Sequence, residues 1–92
     1  MGRKAQRRPK HLGEKLETIR KGLEITQAKM AEQLRERGAE DTTHSGYVAE
    51  FETGKRIPSV FTLLAYSKIA GISINVLIDD ELDLPKRLTE RR

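Results

Sequence analysis

The segment Phe51-Glu52-Thr53-Gly54-Lys55-Arg56-Ile57-Pro58-Ser59 is a helix stop followed at once by a helix start. Glycine tolerates the left-handed residue that closes a helix. Pro-Ser supplies the fixed φ and the capping hydroxyl that open the next one. Upstream, Thr26-Gln27-Ala28-Lys29-Met30-Ala31-Glu32-Gln33-Leu34 is a second such start, with Thr26 as N-cap. Lys29 stands where a capping box would need Glu or Gln, so only half of that motif is present. A chain punctuated this way is built from short helices joined by tight connections, and strand signals are nearly absent.

The remaining helices follow from periodicity. Leu12, Leu16, Ile19 and Leu23 are spaced 4, 3 and 4, one apolar stripe of a first helix that ends near Leu23 because Gly22 interrupts its last turn. In the second, Ala28, Met30, Ala31 and Leu34 supply the apolar contacts, and the pattern runs through Arg35-Glu36-Arg37 to a stop at Gly38. Asp41, Thr42 or Thr43 caps a third helix whose inward residues are Val48 and Phe51, assisted by His44 or Tyr47. Gly54 ends it. Pro58 or Ser59 opens a fourth, with Leu63, Leu64, Tyr66, Ile69 and Ala70 as its apolar set, closed by Gly71. Ser73 caps a short last helix from Ile74 to Ile78, and Pro85 marks the exit into a charged tail.

Ninety-two residues suit one small domain. With 36% apolar residues, two Phe, two Tyr and no Trp, a compact all-α domain is favoured over a sandwich or an aromatic-lined pocket. The absence of cysteine excludes disulfides and thiolate metal sites. His11 and His44 have no neighbouring ligand set, so no metal and no cofactor are expected, and no nucleophile–base pattern marks an enzyme. Gly54-Lys55 fails the phosphate-loop pattern because Ala49 stands where its first Gly belongs. No apolar run approaches the roughly 20 residues of a membrane span, and no signal segment follows the start, so a cytoplasmic protein with no membrane partner is expected.

Charge is distributed unevenly. Arg3, Lys4, Arg7, Arg8 and Lys10 make residues 1–10 strongly basic with no acid, residues 11–78 balance, and Asp79, Asp80, Glu81 and Asp83 form an acidic knot before a basic tail. The net charge of +4 therefore resides in the ends, which is where a polyanion would be met.

Thr26-Gln27-Ala28-Lys29-Met30-Ala31, then Val48-Ala49-Glu50-Phe51-Glu52-Thr53-Gly54-Lys55-Arg56-Ile57-Pro58-Ser59, then Gly71-Ile72-Ser73-Ile74-Asn75-Val76-Leu77 resembles the Xre/Cro family of lambda-repressor-like domains over residues 12–80. The resemblance implies an all-α, compact five-helix helix-turn-helix domain, flanked by a basic arm at residues 1–11 and a charged tail at 81–92. It implies a transcriptional regulator, a repressor in first expectation, that binds a pseudo-palindromic operator in double-stranded DNA as a homodimer. The base-reading positions would be His44, Ser45, Gly46, Tyr47, Ala49 and Glu50 on the third helix. Gln27, Lys29, Arg35, Arg37, Thr43, Lys55 and Arg56 would meet the sugar–phosphate backbone. Glu52 matches a family glutamate that pairs within the domain.

Two features depart from the family pattern. Leu34 to Thr43 carries about seven more residues than a tight turn, read as a longer second helix plus a loop, a lengthened connection between the second and third helices. Glu50 puts negative charge on the groove-facing helix, where it must accept from a cytosine amine or repel phosphate.

Plainer readings stand beside these. Gln27 is either a phosphate donor, a group that orients the third helix, or a surface residue. Lys55 and Arg56 are backbone contacts or a solvated turn, and Tyr47 is groove-facing or half-buried. The basic arm either enters a minor groove or is a solubilising tail. The dimer seam is expected in the last helix and tail, at Ile72, Ile74, Val76, Leu77, Ile78, Leu82, Leu84 and Leu88. The alternatives to a regulator are an antitoxin that binds a toxin through residues 79–92, and a protein-interaction adaptor that kept the fold.

Overall fold

A computed structural model describes residues 9–39 and 45–86. Among these the chain is all-helical: α1 Leu12–Gly22, α2 Gln27–Glu36, α3 Ser45–Thr53, α4 Val60–Ala70 and α5 Ile74–Ile78, with no strand among the described residues. Both α1 and α2 pack on α3, α4 packs on α2 and α5, and α5 closes back on α1. Leu16, Ile19, Met30, Leu34, Val48, Phe51, Tyr66 and Leu77 form the centre of the core.

The helix ends follow local chemistry. Thr26 Oγ1 accepts from the Lys29 N–H at 3.0 Å, and Ser59 Oγ from that of Thr62 at 3.2 Å, each satisfying an orphan donor of a first turn. After α2, Gly38 takes φ 92°, its N–H bonds to the Arg35 carbonyl, and that of Ala39 reaches back to Leu34. This double closure seats Ala39 in the core. Gly54 (φ 84°) closes α3 the same way, with the Lys55 N–H on the Glu50 carbonyl at 2.9 Å. Glu24 occupies the equivalent left-handed position after α1 at φ 61°, where a side chain costs about 1–2 kcal/mol.

Some inward assignments differ. Ala28 is exposed, because α2 turns only Met30, Ala31 and Leu34 fully inward. On α4 the buried set is Thr62, Leu63, Ala65, Tyr66, Ser67 and Ala70, whereas Leu64 faces outward. A run as apolar as Val60-Phe61-Thr62-Leu63-Leu64 has no period to say which side is inner. Tyr66 carries its hydroxyl into the core without a hydrogen-bond partner among the described residues, and burial, reinforced by nearby Glu52, pushes its pKa well up.

Two polar clamps tie the start of α1 to α5 and the segment just after it. Lys15 lies on the apolar stripe of α1 and is buried, its Nζ donating to the carbonyls of Val76 (2.7 Å), Asp79 (3.0 Å) and Leu82 (2.7 Å). Three donors meet three acceptors at the C-terminus of α5, so the buried ammonium is fully partnered and the helix end is capped. Asp80 returns the arrangement at the other end: its carboxylate accepts from the Lys10 and His11 N–H groups at 2.9 and 3.0 Å, ahead of α1. Those two bonds hold the Asp80 carboxyl below the ordinary carboxylate range. Leu84 packs on the core beyond the expected domain edge at residue 80.

Candidate nucleic-acid interface

The site is best built from the back of α3 outward. Glu52 is buried, and its carboxylate receives the Arg20 guanidinium through Nε at 2.7 Å and Nη2 at 3.2 Å. This bidentate pair couples α1 to α3. Arg20 Nη1 also donates to the Ile25 carbonyl at 3.0 Å, holding the α1–α2 connection, and Gln27 Nε2 donates to Glu52 Oε1 at 3.0 Å. One carboxylate thus fixes α1, the entry to α2 and α3 against one another. The Glu52 contact raises the Arg20 pKa further. The approach is close: a Cβ at Gly13 would lie 2.7 Å from the Glu52 carbonyl oxygen, so α1 can pack there only with glycine.

On the outer side, Ser45, Gly46, Tyr47, Ala49 and Glu50 are partly exposed, while Val48 and Phe51 are buried. This is the division the spacing predicts. The outer face carries its own cluster: Arg56 Nε donates to Glu50 Oε1 at 2.7 Å, and the Arg56 guanidinium carbon lies 4.1 Å from the centroid of the Tyr47 ring. Glu50 therefore has a third option besides a cytosine or phosphate repulsion, since Arg56 neutralises it within the chain. Arg56 lies along α3 and not straight out from the loop.

The other expected contact residues lie around this face. Gln27 is engaged with Glu52, which favours its role in orienting α3. Lys29 makes an exposed 3.5 Å pair with Glu32, and Arg37 turns back to the Gln33 carbonyl at 3.3 Å. Arg35 and Lys55 are exposed. Lys10 and Arg56 line one shallow groove of about 240 Å³ with Gly13, Thr53 and Gly54, which puts Lys10 beside the Gly54–Ile57 loop. Thr43, His44, Arg3, Lys4, Arg7 and Arg8 fall outside the described residues.

Arg20, Lys15 and Gly13 are absent from the sequence reading, and Asp80 enters it only as part of an acidic knot, yet they hold the site in place. A signal existed for two of them. Lys15 and Arg20 interleave with the stripe Leu12, Leu16, Ile19, Leu23, and a cation on an apolar stripe needs a buried partner. The seam residues expected from the sequence are largely spent on the core: Leu77 is buried, and Ile72, Ile74 and Leu84 pack against the core cluster. Ile78 and Leu82 remain exposed, and Leu88 lies outside the described residues. Comparison with protein-family models, curated proteins and solved structures gave no match.

Proposed function

We propose that the chain is a sequence-specific double-stranded DNA-binding module of lambda-repressor-like, helix-turn-helix architecture, acting as a transcriptional regulator. The observation that carries this reading is the two-sidedness of α3. Its inner side is locked to α1 and α2 through Arg20, Glu52 and Gln27. Its outer side, from Ser45 to Glu50, is left partly open between the capped start of α2 and the Lys55–Arg56 loop. A helix held rigidly with small and polar residues outward is what insertion into a major groove requires. Lys10, beside Arg56 in the same groove, and the cations that precede it in the sequence supply the sequence-independent attraction.

In this reading Ser45, Tyr47 and Glu50 meet base edges, and Lys55 and the amide end of α2 at Gln27 sit against phosphates. Arg56 exchanges Glu50 for phosphate when DNA arrives, and Glu50 is then released toward a cytosine amine. Asp80 already serves as a clamp on the start of α1, which leaves the acidic knot less available to a toxin than its composition implies.

Selection of bound sequences from a random duplex pool tests the proposal. Enrichment of a short motif, with Ser45→Ala relaxing preference at one or two base pairs and Lys55→Ala weakening all sequences alike, is the expected result. A pool that stays random sinks it.

A further inference from the structure

The outward side of α4 is an apolar stripe held between two cations. Phe61 is 69% exposed and Val60 67%, with Leu64 at 41% and Ile57, just ahead of the helix, at 43%. Val60, Leu64, Lys68 and Phe61 fall on one arc of about 100° of the helix, so Lys68 continues the stripe one turn beyond Leu64. Lys55 stands ahead of Ile57 at the opposite end, and both lysines are exposed. The sequence has no Asp or Glu between Glu52 and Asp79, and no carboxylate among the described residues pairs with Lys55 or Lys68. Arg56, by contrast, is engaged with Glu50.

Charge narrows the occupant. Residues 1–8, 40–44 and 87–92 hold only Met1 and Leu88 as large apolar side chains, so they are unsuited to fill the stripe. A second copy packed through the same stripe would bring lysine to lysine and no acid, which costs affinity. An anionic lipid surface is recognised by clusters of about 4–8 cations, and this stripe has two. Asp79, Glu81 and Asp83 are also exposed just after α5, which packs on α4, and a broad anionic sheet would meet their repulsion. The complement that remains is a narrow one: apolar residues with a carboxylate at each end, spanning the roughly 12 Å of helix from Val60 to Lys68 and the loop before it. We propose that the stripe docks an acidic amphipathic segment of another protein, its apolar side on Phe61 and Leu64 and its carboxylates on Lys68 and Lys55.

The area sets the strength. The four apolar side chains expose on the order of 400 Å². Covering them removes about 800 Å² from water in the two partners together, the size of a transient encounter. The complex is therefore weak, with a Kd on the order of 10–100 μM. Apolar burial supplies most of that affinity, and the lysines set direction and exclude basic partners. Docking here does not rest on the DNA-binding reading. Lys55 is shared with that reading and Lys68 is not, so Lys68 carries the test.

The experiment is selection against the full chain from a displayed library of random peptides about 16 residues long, enough to span the stripe as a helix. Enriched peptides are expected to carry Leu, Ile or Phe at helical spacing with Asp or Glu at both ends. Added to the isotope-labelled chain, such a peptide should shift the amide resonances of the Ile57–Lys68 segment. Phe61→Ser should weaken it about 10-fold or more. Lys68→Glu should weaken it about 3- to 10-fold, and Lys68→Arg should leave it unchanged. All three variants should keep the helical circular dichroism and melting temperature of the parent. No enrichment overturns the proposal, as do enriched peptides that are basic or uncharged, or shifts that lie off this segment. A chain that selects no acidic peptide but self-associates through Phe61, or binds phosphatidylserine vesicles through it, overturns the proposal in favour of a second copy or a membrane.

Discussion

Glu50 and Glu52 lie two residues apart on α3, and each holds an arginine at 2.7 Å. The contacts look equivalent and their environments are not. The Arg20 and Glu52 side chains are 13% and 3% exposed, those of Arg56 and Glu50 46% and 39%. The inner pair sits where neither charge has water to fall back on, and Gln27 and the Ile25 carbonyl complete its hydrogen bonds. The outer pair is screened by solvent, costs little to open, and stacks on an aromatic ring at the face proposed to meet DNA. Distance says that a pair exists; burial decides whether it is scaffold or a contact that can be exchanged.

That contrast can be broken most forcefully at the inner pair. Arg20→Ala leaves Glu52 buried without its counter-charge and should lower stability by about 3–5 kcal/mol, read as a large fall in melting temperature. A loss under about 1 kcal/mol would make the inner pair no different from the outer one. Lys15 is the other buried cation, and Lys15→Met keeps its stem while removing the donor to the Val76, Asp79 and Leu82 carbonyls, of which Asp79 still accepts from the Leu82 N–H. A loss of about 2–3 kcal/mol in chemical denaturation is expected. Tyr66 lies close enough to the inner pair for both charges to act on it, yet its hydroxyl has no partner among the described residues. Tyr66→Phe should be neutral or stabilise by up to about 1 kcal/mol. A clear destabilisation would show that the hydroxyl is hydrogen-bonded in solution. The smallest effect belongs outside: Glu50→Gln should change stability by no more than about 0.5 kcal/mol. The same substitution should strengthen non-specific DNA binding by freeing Arg56, whereas a stability loss as large as that of Arg20→Ala would erase the distinction between the pairs.

Much of the scaffold was legible because it rests on local chemistry. Thr26, Ser59, Gly38, Gly54 and Gly71 act where their backbone preferences place them, and α5 spans the expected Ile74–Ile78. The inward Val48 and Phe51 follow from spacing alone. What stayed hidden depends on which elements meet. The partner of Lys15 is 61 to 67 residues away, and that of Arg20 is 32. Glu50 was legible as a charge on α3, but its neutralisation by Arg56 depends on how the Gly54 stop folds the next residues back along the helix. On α4, consecutive apolar residues concealed that Phe61 and Leu64 face outward.

The central claim is that the open side of α3 and its basic flanks bind DNA while the inner pair only positions them. Its most direct test is the equilibrium constant for a selected duplex measured from 50 to 200 mM salt, for the parent and for Lys55→Ala. The account predicts an affinity that falls steeply with salt, and a slope reduced by about one for Lys55→Ala. Binding that is absent, or indifferent to salt, would contradict it.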